Sequence, residues 1–348
     1  MERILTYGDA IHEATDLEMD RDPSVVAFGI GVDDHRAFYG TLKGLADKYG
    51  DARIFGTPLA EDSMTGLAIG AALGGLRPIQ IHERMDFVLL AMNQLVNIAA
   101  KSRYMYGGAV FVPLVVRACI GRSWGQGAQH SQALHSFFMH VPGLKVVAPT
   151  TPYDAKGCLT AAIRDDNPVI YMEHRLLHRY KGHVPAEPYT VPFGKARILA
   201  EGADATIVGI SFMGVECLRA RNYLETVGIN AEVIDPVSLS PLDMETILKS
   251  VRKTGRLLVV DNGWTCCGAG AEIVAQVAER LDGEHHIRVR RMSFAPVPCP
   301  TVKNLEQLFY PNARTIAEVA YSVVHKNKKQ WKPEGAEAPE ITEFKGPF

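Results

Sequence analysis

No charge of one sign dominates this chain: 37 Lys and Arg stand against 39 Asp and Glu, a formal net charge of -2, with no long basic run. The electrostatic footprint of a nucleic-acid binder is therefore missing. The six cysteines, Cys119, Cys158, Cys217, Cys266, Cys267 and Cys299, show none of the paired short spacings that hold zinc, and most lie in apolar stretches. They read as buried thiols in a reducing cytoplasm. No apolar run is long enough to cross a bilayer, and the opening Met-Glu-Arg-Ile-Leu-Thr-Tyr lacks a basic region followed by an apolar core, so no membrane association is expected. P-loop and dinucleotide-binding glycine signatures, internal repeats and low-complexity tracts are missing as well.

What is present is a chain of 348 residues, enough for two cores. Short β-branched runs at Ser24 to Ile30, Pro78 to His82, Val110 to Arg117, Leu144 to Ala148 and Pro168 to Met172 read as buried strands. Helical spacing separates them at Met64 to Leu76, Val88 to Tyr106 and Tyr153 to Asp165, with Gly107 and Gly108 stopping the second. This alternation predicts an α/β fold with a parallel sheet covered by helices. From His174 to about Gly202 the pattern gives way to a basic, proline-bearing stretch that reads as a domain crossing. A smaller doubly wound unit follows, with strands at Ala205 to Ile210, Asn230 to Ile234 and Arg256 to Val260 and helices near Gly214 to Val227, Asp243 to Val251 and Gly270 to Leu281. The expected organisation is a first domain over 1–185, a linker over 186–202, a second domain over 203–326 and an extended tail over 327–348.

Two segments carry candidate chemistry. Thr57-Pro58-Leu59-Ala60-Glu61 precedes a small-residue helix, so Glu61 faces the open end of the sheet where α/β proteins place ligands, although Glu61 and Asp62 would equally complement a helix N-terminal dipole. Gly121 to Gln132 is a glycine-bearing loop that follows a strand and ends around His130, an imidazole able to move protons near neutral pH.

Taken together, Arg53 to Glu61, Leu76-Arg77-Pro78-Ile79, Gln94 to Lys101 and Gly127-Ala128-Gln129-His130-Ser131-Gln132 resemble the beta subunit of pyruvate and branched-chain 2-oxo acid dehydrogenases. The likeness continues through Pro142 to Pro149, Asp154 to Gly157, Asp165 to Val169, Gly263-Trp264 and Gly268 to Ile273, in order over roughly residues 5 to 325. It implies a transketolase-like pyrimidine-binding domain followed by a transketolase-type C-terminal domain. It also implies oxidative decarboxylation of a pyruvate-like or branched-chain 2-oxo acid, with acyl transfer to a lipoyl domain.

The same resemblance implies thiamine diphosphate shared with an alpha subunit, which would hold the diphosphate and magnesium; the Gly-Asp-Gly segment that family alpha chains use for the metal is missing here. Glu61 would hydrogen-bond the pyrimidine ring as a proton shuttle, with Leu59 and Phe87 completing the cofactor contacts and His130 assisting acyl transfer at the substrate entrance. Leu114, Ala162, Asp165 and Asn167 would coordinate a structural potassium ion, chiefly through carbonyl oxygens. The implied assembly is a cytoplasmic alpha2-beta2 heterotetramer docked on a lipoyl acyltransferase core, with Trp264, Cys266 and Cys267 packed in the second domain or at a dimer interface.

Three stretches depart from the family pattern. Asp62 and Ser63 replace a small or apolar pair after Glu61, His82-Glu83-Arg84-Met85-Asp86 replaces a largely apolar run, and Gly31-Val32-Asp33-Asp34 has one acid fewer than usual. Alternative readings are a split transketolase or other carboligating thiamine enzyme, and a non-catalytic assembly subunit.

Overall fold

The structure, a computed structural model, describes residues 3–35, 37–122, 125–284, 286–326 and 330–334. Most of the expected tail lies outside the described residues. Two compact units divide the chain: the first runs from the N-terminus to Gly121 and resumes over His130–Phe193, and the second takes Arg122–Gln129 together with Gly194 onward.

The first unit is built on six parallel strands, β1 (Val25–Gly29), β2 (Ile54–Gly56), β3 (Arg77–His82), β4 (Val115–Ile120), β5 (Lys145–Val147) and β6 (Val169–His174), in the order β5-β6-β4-β3-β1-β2. Strands β1, β4 and β6 are buried at every residue, which is why their sequences read as largely apolar runs. The expected start of β4 at Val110 is corrected to Val115: Pro113 offers no N–H to a ladder, so pairing begins only after it. The strand order reverses at β1, placing the crevice where ligands bind beside the carboxyl ends of β1 and β3.

Helix α1 (Tyr7–Arg21) packs with α3 (Pro152–Arg164), and α2 (Glu61–Leu73) covers β3. The helix expected over Val88 to Tyr106 is instead broken into a short α turn at Met85–Val88, a 3-10 turn at Leu89–Ala91, a π segment at Gln94–Ala99 and an α segment at Ala100–Met105. The π segment inserts extra backbone into an otherwise helical run, a local change of winding that side-chain periodicity alone does not reveal. Gly107 and Gly108 do end it, both in the left-handed region that other residues avoid.

The second unit contains a five-stranded sheet of β7 (Arg197–Ala200), β8 (Ala205–Gly209), β9 (Ala231–Asp235), β10 (Arg256–Trp264) and β11 (Arg288–Phe294), ordered β11-β10-β8-β9-β7. All neighbours are parallel except the edge strand β7. Helices α4 (Phe212–Glu225), α5 (Met244–Thr254), α6 (Ala269–Arg280) and α7 (Ala313–Val324) pack on it.

Four thiols are buried as expected, but Cys266 and Cys267 are exposed. They sit on the turn between β10 and α6, with Cys267 at a φ of 52° and the two sulfurs 3.9 Å apart. That turn leaves the sheet, and Trp264 alone packs inward, edge-on to Phe294 at 5.8 Å and Phe309 at 6.4 Å.

Candidate active site

Glu61 opens α2 directly after the loop that leaves β2, so the backbone delivers its side chain to the carboxyl edge of the sheet. It is only 8% exposed, yet among the described residues its carboxylate takes no hydrogen bond or ion pair. Its carbonyl accepts from Thr65 Oγ1 at 2.7 Å, and Thr65 Oγ1 in turn accepts from Gln80 Nε2 at 2.8 Å, which ties the first turn of α2 to β3. Leu59, in the preceding loop, is 78% exposed. Asp62 turns outward, where its carboxylate accepts from the Ser63 backbone N–H at 2.7 Å, so the added acid faces solvent rather than sharing the Glu61 niche.

Phe87 and His130, 43 residues apart in sequence, meet edge to face with ring centroids 5.2 Å apart and an interplanar angle of 81°. Asp86 makes that meeting possible: its Oδ1 accepts from the backbone N–H of Gln132 at 3.2 Å and from Gln132 Nε2 at 2.8 Å. The segment following β3 and the loop carrying His130 are thus clamped together next to the ring pair. Burial raises the Asp86 pKa against the opposing hydrogen bonds from Gln132. Arg84 donates to the carbonyl of Gly121 at 3.2 Å and is buried with His82 and Asp86, so three of the ionisable residues in this departing stretch lie inside the protein.

The four residues expected around potassium gather at the opposite, amino edge of the sheet. Leu114 precedes β4, Ala162 and Asp165 end α3, and Asn167 precedes β6. The Asp165 carboxylate accepts from the Asn167 backbone N–H at 2.9 Å and side-chain amide at 2.8 Å and pairs with the Lys145 ammonium. The carbonyls of Leu114 and Ala162 each accept a backbone N–H, from Val169 at 2.9 Å and Asp165 at 3.3 Å.

Sequence reasoning missed a second buried constellation. Arg117 on β4 and Glu173 on β6 are fully buried and paired at 2.8 Å, with His178 3.1 Å from the other Glu173 oxygen. Burial alone would raise the Glu173 pKa, but the Arg117 charge and the His178 hydrogen bond outweigh it and hold it at about 2. Arg117 also reaches Thr41 Oγ1 at 2.9 Å and lies over the Phe38 ring, while Arg175 lies over Tyr39 at 4.0 Å. These contacts hold Ala37, Phe38 and Tyr39, three consecutive residues with positive φ. The available signal was a charge within a mostly apolar strand, in the middle of Val115 to Ile120 and towards the end of Val169 to His174.

Residues 4–181 match the transketolase pyrimidine-binding domain and residues 194–316 the transketolase C-terminal domain. The chain is 44% identical to the beta subunit of acetoin:2,6-dichlorophenolindophenol oxidoreductase of Cupriavidus necator, over 92% of this chain and 97% of that one. It is 42% identical to the pyruvate dehydrogenase E1 component subunit beta of Porphyra purpurea, with the same coverages of 92% and 97%. A solved structure described as a split-gene transketolase, inactive beta4 tetramer, superposes with a TM-score of 0.73 at 22% identity, covering 92% of this chain and 98% of that one, and shares its fold. With both transketolase-type domains present and relatives of this identity aligned nearly end to end, the chain belongs to the E1 beta-subunit family of the thiamine-diphosphate-dependent 2-oxo acid dehydrogenases.

Proposed function

We propose that this chain forms half of a thiamine-diphosphate site and, with an alpha subunit, catalyses oxidative decarboxylation of a 2-oxo acid with acyl transfer to a lipoyl domain. The observation that carries the reading is Glu61, a buried carboxylate at the ligand edge of the sheet with no partner from its own chain among the described residues. Its oxygens keep some contact with solvent, so the carboxylate is open to a group that docks against the chain. An aminopyrimidine nitrogen that shares a proton with the carboxylate fits that position, and the exposed Leu59 and half-buried Phe87 supply apolar surface for its ring. Bound thiamine diphosphate supplies the nucleophilic carbon and the electron sink for decarboxylation. Glu61 then holds the proton at the pyrimidine nitrogen, and Phe87 fixes the orientation of His130, whose ring serves the incoming substrate and acceptor.

In this reading the alpha subunit holds magnesium and the diphosphate. The oxygen cluster of Leu114, Ala162, Asp165 and Asn167 is our candidate potassium site; each carbonyl keeps a second lone pair for a cation. An alpha2-beta2 heterotetramer in the cytoplasm, docked on a lipoyl acyltransferase core, completes the reading.

The test is Glu61→Gln in the co-expressed complex. Decarboxylation should fall by at least about a hundredfold while assembly is retained, as expected when a proton-transferring group is removed. Retained turnover would sink the reading. Acetoin with 2,6-dichlorophenolindophenol belongs in the same assay, because the relative at 44% identity is named for that reaction; turnover of acetoin without decarboxylation of any 2-oxo acid would replace this reading with acetoin oxidation at the same site.

A further inference from the structure

The stretch from His82 to Asp86 leaves two buried polar atoms without partners among the described residues, close in sequence to Phe87. His82 is 5% exposed and Asp86 7% exposed, and among the described residues neither His82 Nε2 nor Asp86 Oδ2 has a hydrogen-bond partner. Native proteins rarely bury such atoms unsatisfied, since each forfeits its hydrogen bonds to water.

Their placement ties both to the catalytic edge. Side chains alternate across a strand, so His82 lies on the same face of β3 as Gln80, whose amide donates to Thr65 on α2. That helix begins at Glu61. Asp86 is held through its other oxygen by Gln132, two residues beyond His130, and adjoins Phe87, whose ring touches the His130 ring. Both unsatisfied atoms therefore belong to the segment that leaves the carboxyl end of β3, at the sheet edge where α2 begins and next to Phe87.

Resting on the function proposed above, we infer that the substrate is a 2-oxo acid whose side chain carries a hydroxyl, bound by Asp86 Oδ2 and His82 Nε2. A hydroxyl donates one hydrogen bond and accepts two, so a single group satisfies a carboxylate oxygen and an imidazole nitrogen together. A plain aliphatic side chain would leave both atoms unsatisfied. A charged tail would have to be stripped of water in a segment that already buries Arg84.

The experiment compares 2-oxobutanoate with 4-hydroxy-2-oxobutanoate, which differ by the hydroxyl alone, on the complex co-expressed with its alpha subunit. The expected kcat/KM ratio favours the hydroxylated acid by at least about tenfold, because a site that hydrogen-bonds a substrate hydroxyl rejects the analogue lacking it. Asp86→Leu and His82→Phe each lower that ratio several-fold, and His82→Phe carries the test alone if loss of the Gln132 clamp prevents Asp86→Leu from assembling. A residue that only shapes the fold would reduce both substrates in parallel and leave the ratio unchanged, which overturns the assignment. Equal use of the two acids by the unsubstituted complex overturns it too, while the parent reading stands. An assembled, cofactor-bound complex that decarboxylates no 2-oxo acid removes the parent reading and this inference with it.

Discussion

His82 combines deep burial with a titratable ring, and the consequence is a pH dependence of stability. Burial pushes its pKa down to about 4 from an ordinary value of 6.5, so the folded protein keeps the imidazole neutral where the unfolded chain protonates it. The unfolded state then binds the extra proton, and stability falls as pH drops from about 6.5 towards 4 and levels off below. Over that window the loss amounts to roughly 3 kcal/mol, at 1.36 kcal/mol per unit. His178, whose pKa burial also lowers against the opposing pull of Glu173, adds in the same direction. His82→Phe should flatten this limb: in thermal unfolding between pH 8 and pH 4.5, the variant loses less Tm than the parent chain. A limb of unchanged steepness would place the titration elsewhere. Sequence reasoning could mark His82 to Asp86 as out of character, because four ionisable groups follow an apolar strand. It could not tell that Glu83 stays partly exposed while its neighbours turn inward, since that depends on where the chain bends after β3.

Between elements, the buried charges act as cross-ties. Arg117, in the middle of β4, and Glu173, near the carboxyl end of β6, link these neighbouring strands, and the same guanidinium reaches the loop that holds Thr41. Removing one partner strands the other as an uncompensated buried charge, a loss of about 3–5 kcal/mol. Glu173→Gln should therefore lower the urea midpoint of the assembled protein sharply. Because the folded pKa of Glu173 is depressed to about 2 from 4.5, its stabilisation is present above about 4.5 and disappears as pH falls towards 2. The gap between parent and variant should accordingly close over that interval, and a constant gap would show that the pair acts through shape rather than charge. Elements with apolar faces were legible in the sequence: β1, β3 and β6 fall within a residue or two of their expected bounds. Helix α1 was not, although Tyr7, Ala10, Ile11, Ala14, Thr15, Glu18 and Met19 are buried at helical spacing. Two of those seven are polar, and Glu18 is tolerated there only because Arg21 and Arg164 pair with it.

At the scale of the whole molecule, the chain displays more apolar surface than its own fold requires. Leu67 and Leu73 stand exposed on α2, the helix that begins with Glu61, and Leu90, Tyr104, Met105 and Tyr106 are exposed along the broken helical run that follows β3. Grouped exposed apolar side chains mark surfaces that another chain covers. On the function proposed above, the Glu61 carboxylate and an exposed apolar face that an alpha subunit would cover share one helix, which would couple cofactor binding to assembly. Two consequences can be measured together. Calorimetry should detect little binding of thiamine diphosphate with magnesium to the purified chain and strong binding once the alpha subunit is present. Leu67→Arg, which places a charge on the exposed side of that helix, should leave the far-ultraviolet circular dichroism of the isolated chain unchanged, since Leu67 is already 49% exposed and little of its packing is lost. In a co-expression experiment the same substitution should abolish both the heteromeric peak on size exclusion and cofactor binding, because an unpaired charge buried in an interface opposes association. A Leu67→Arg complex that still assembles and binds cofactor would move the association surface off this helix and separate it from the Glu61 site.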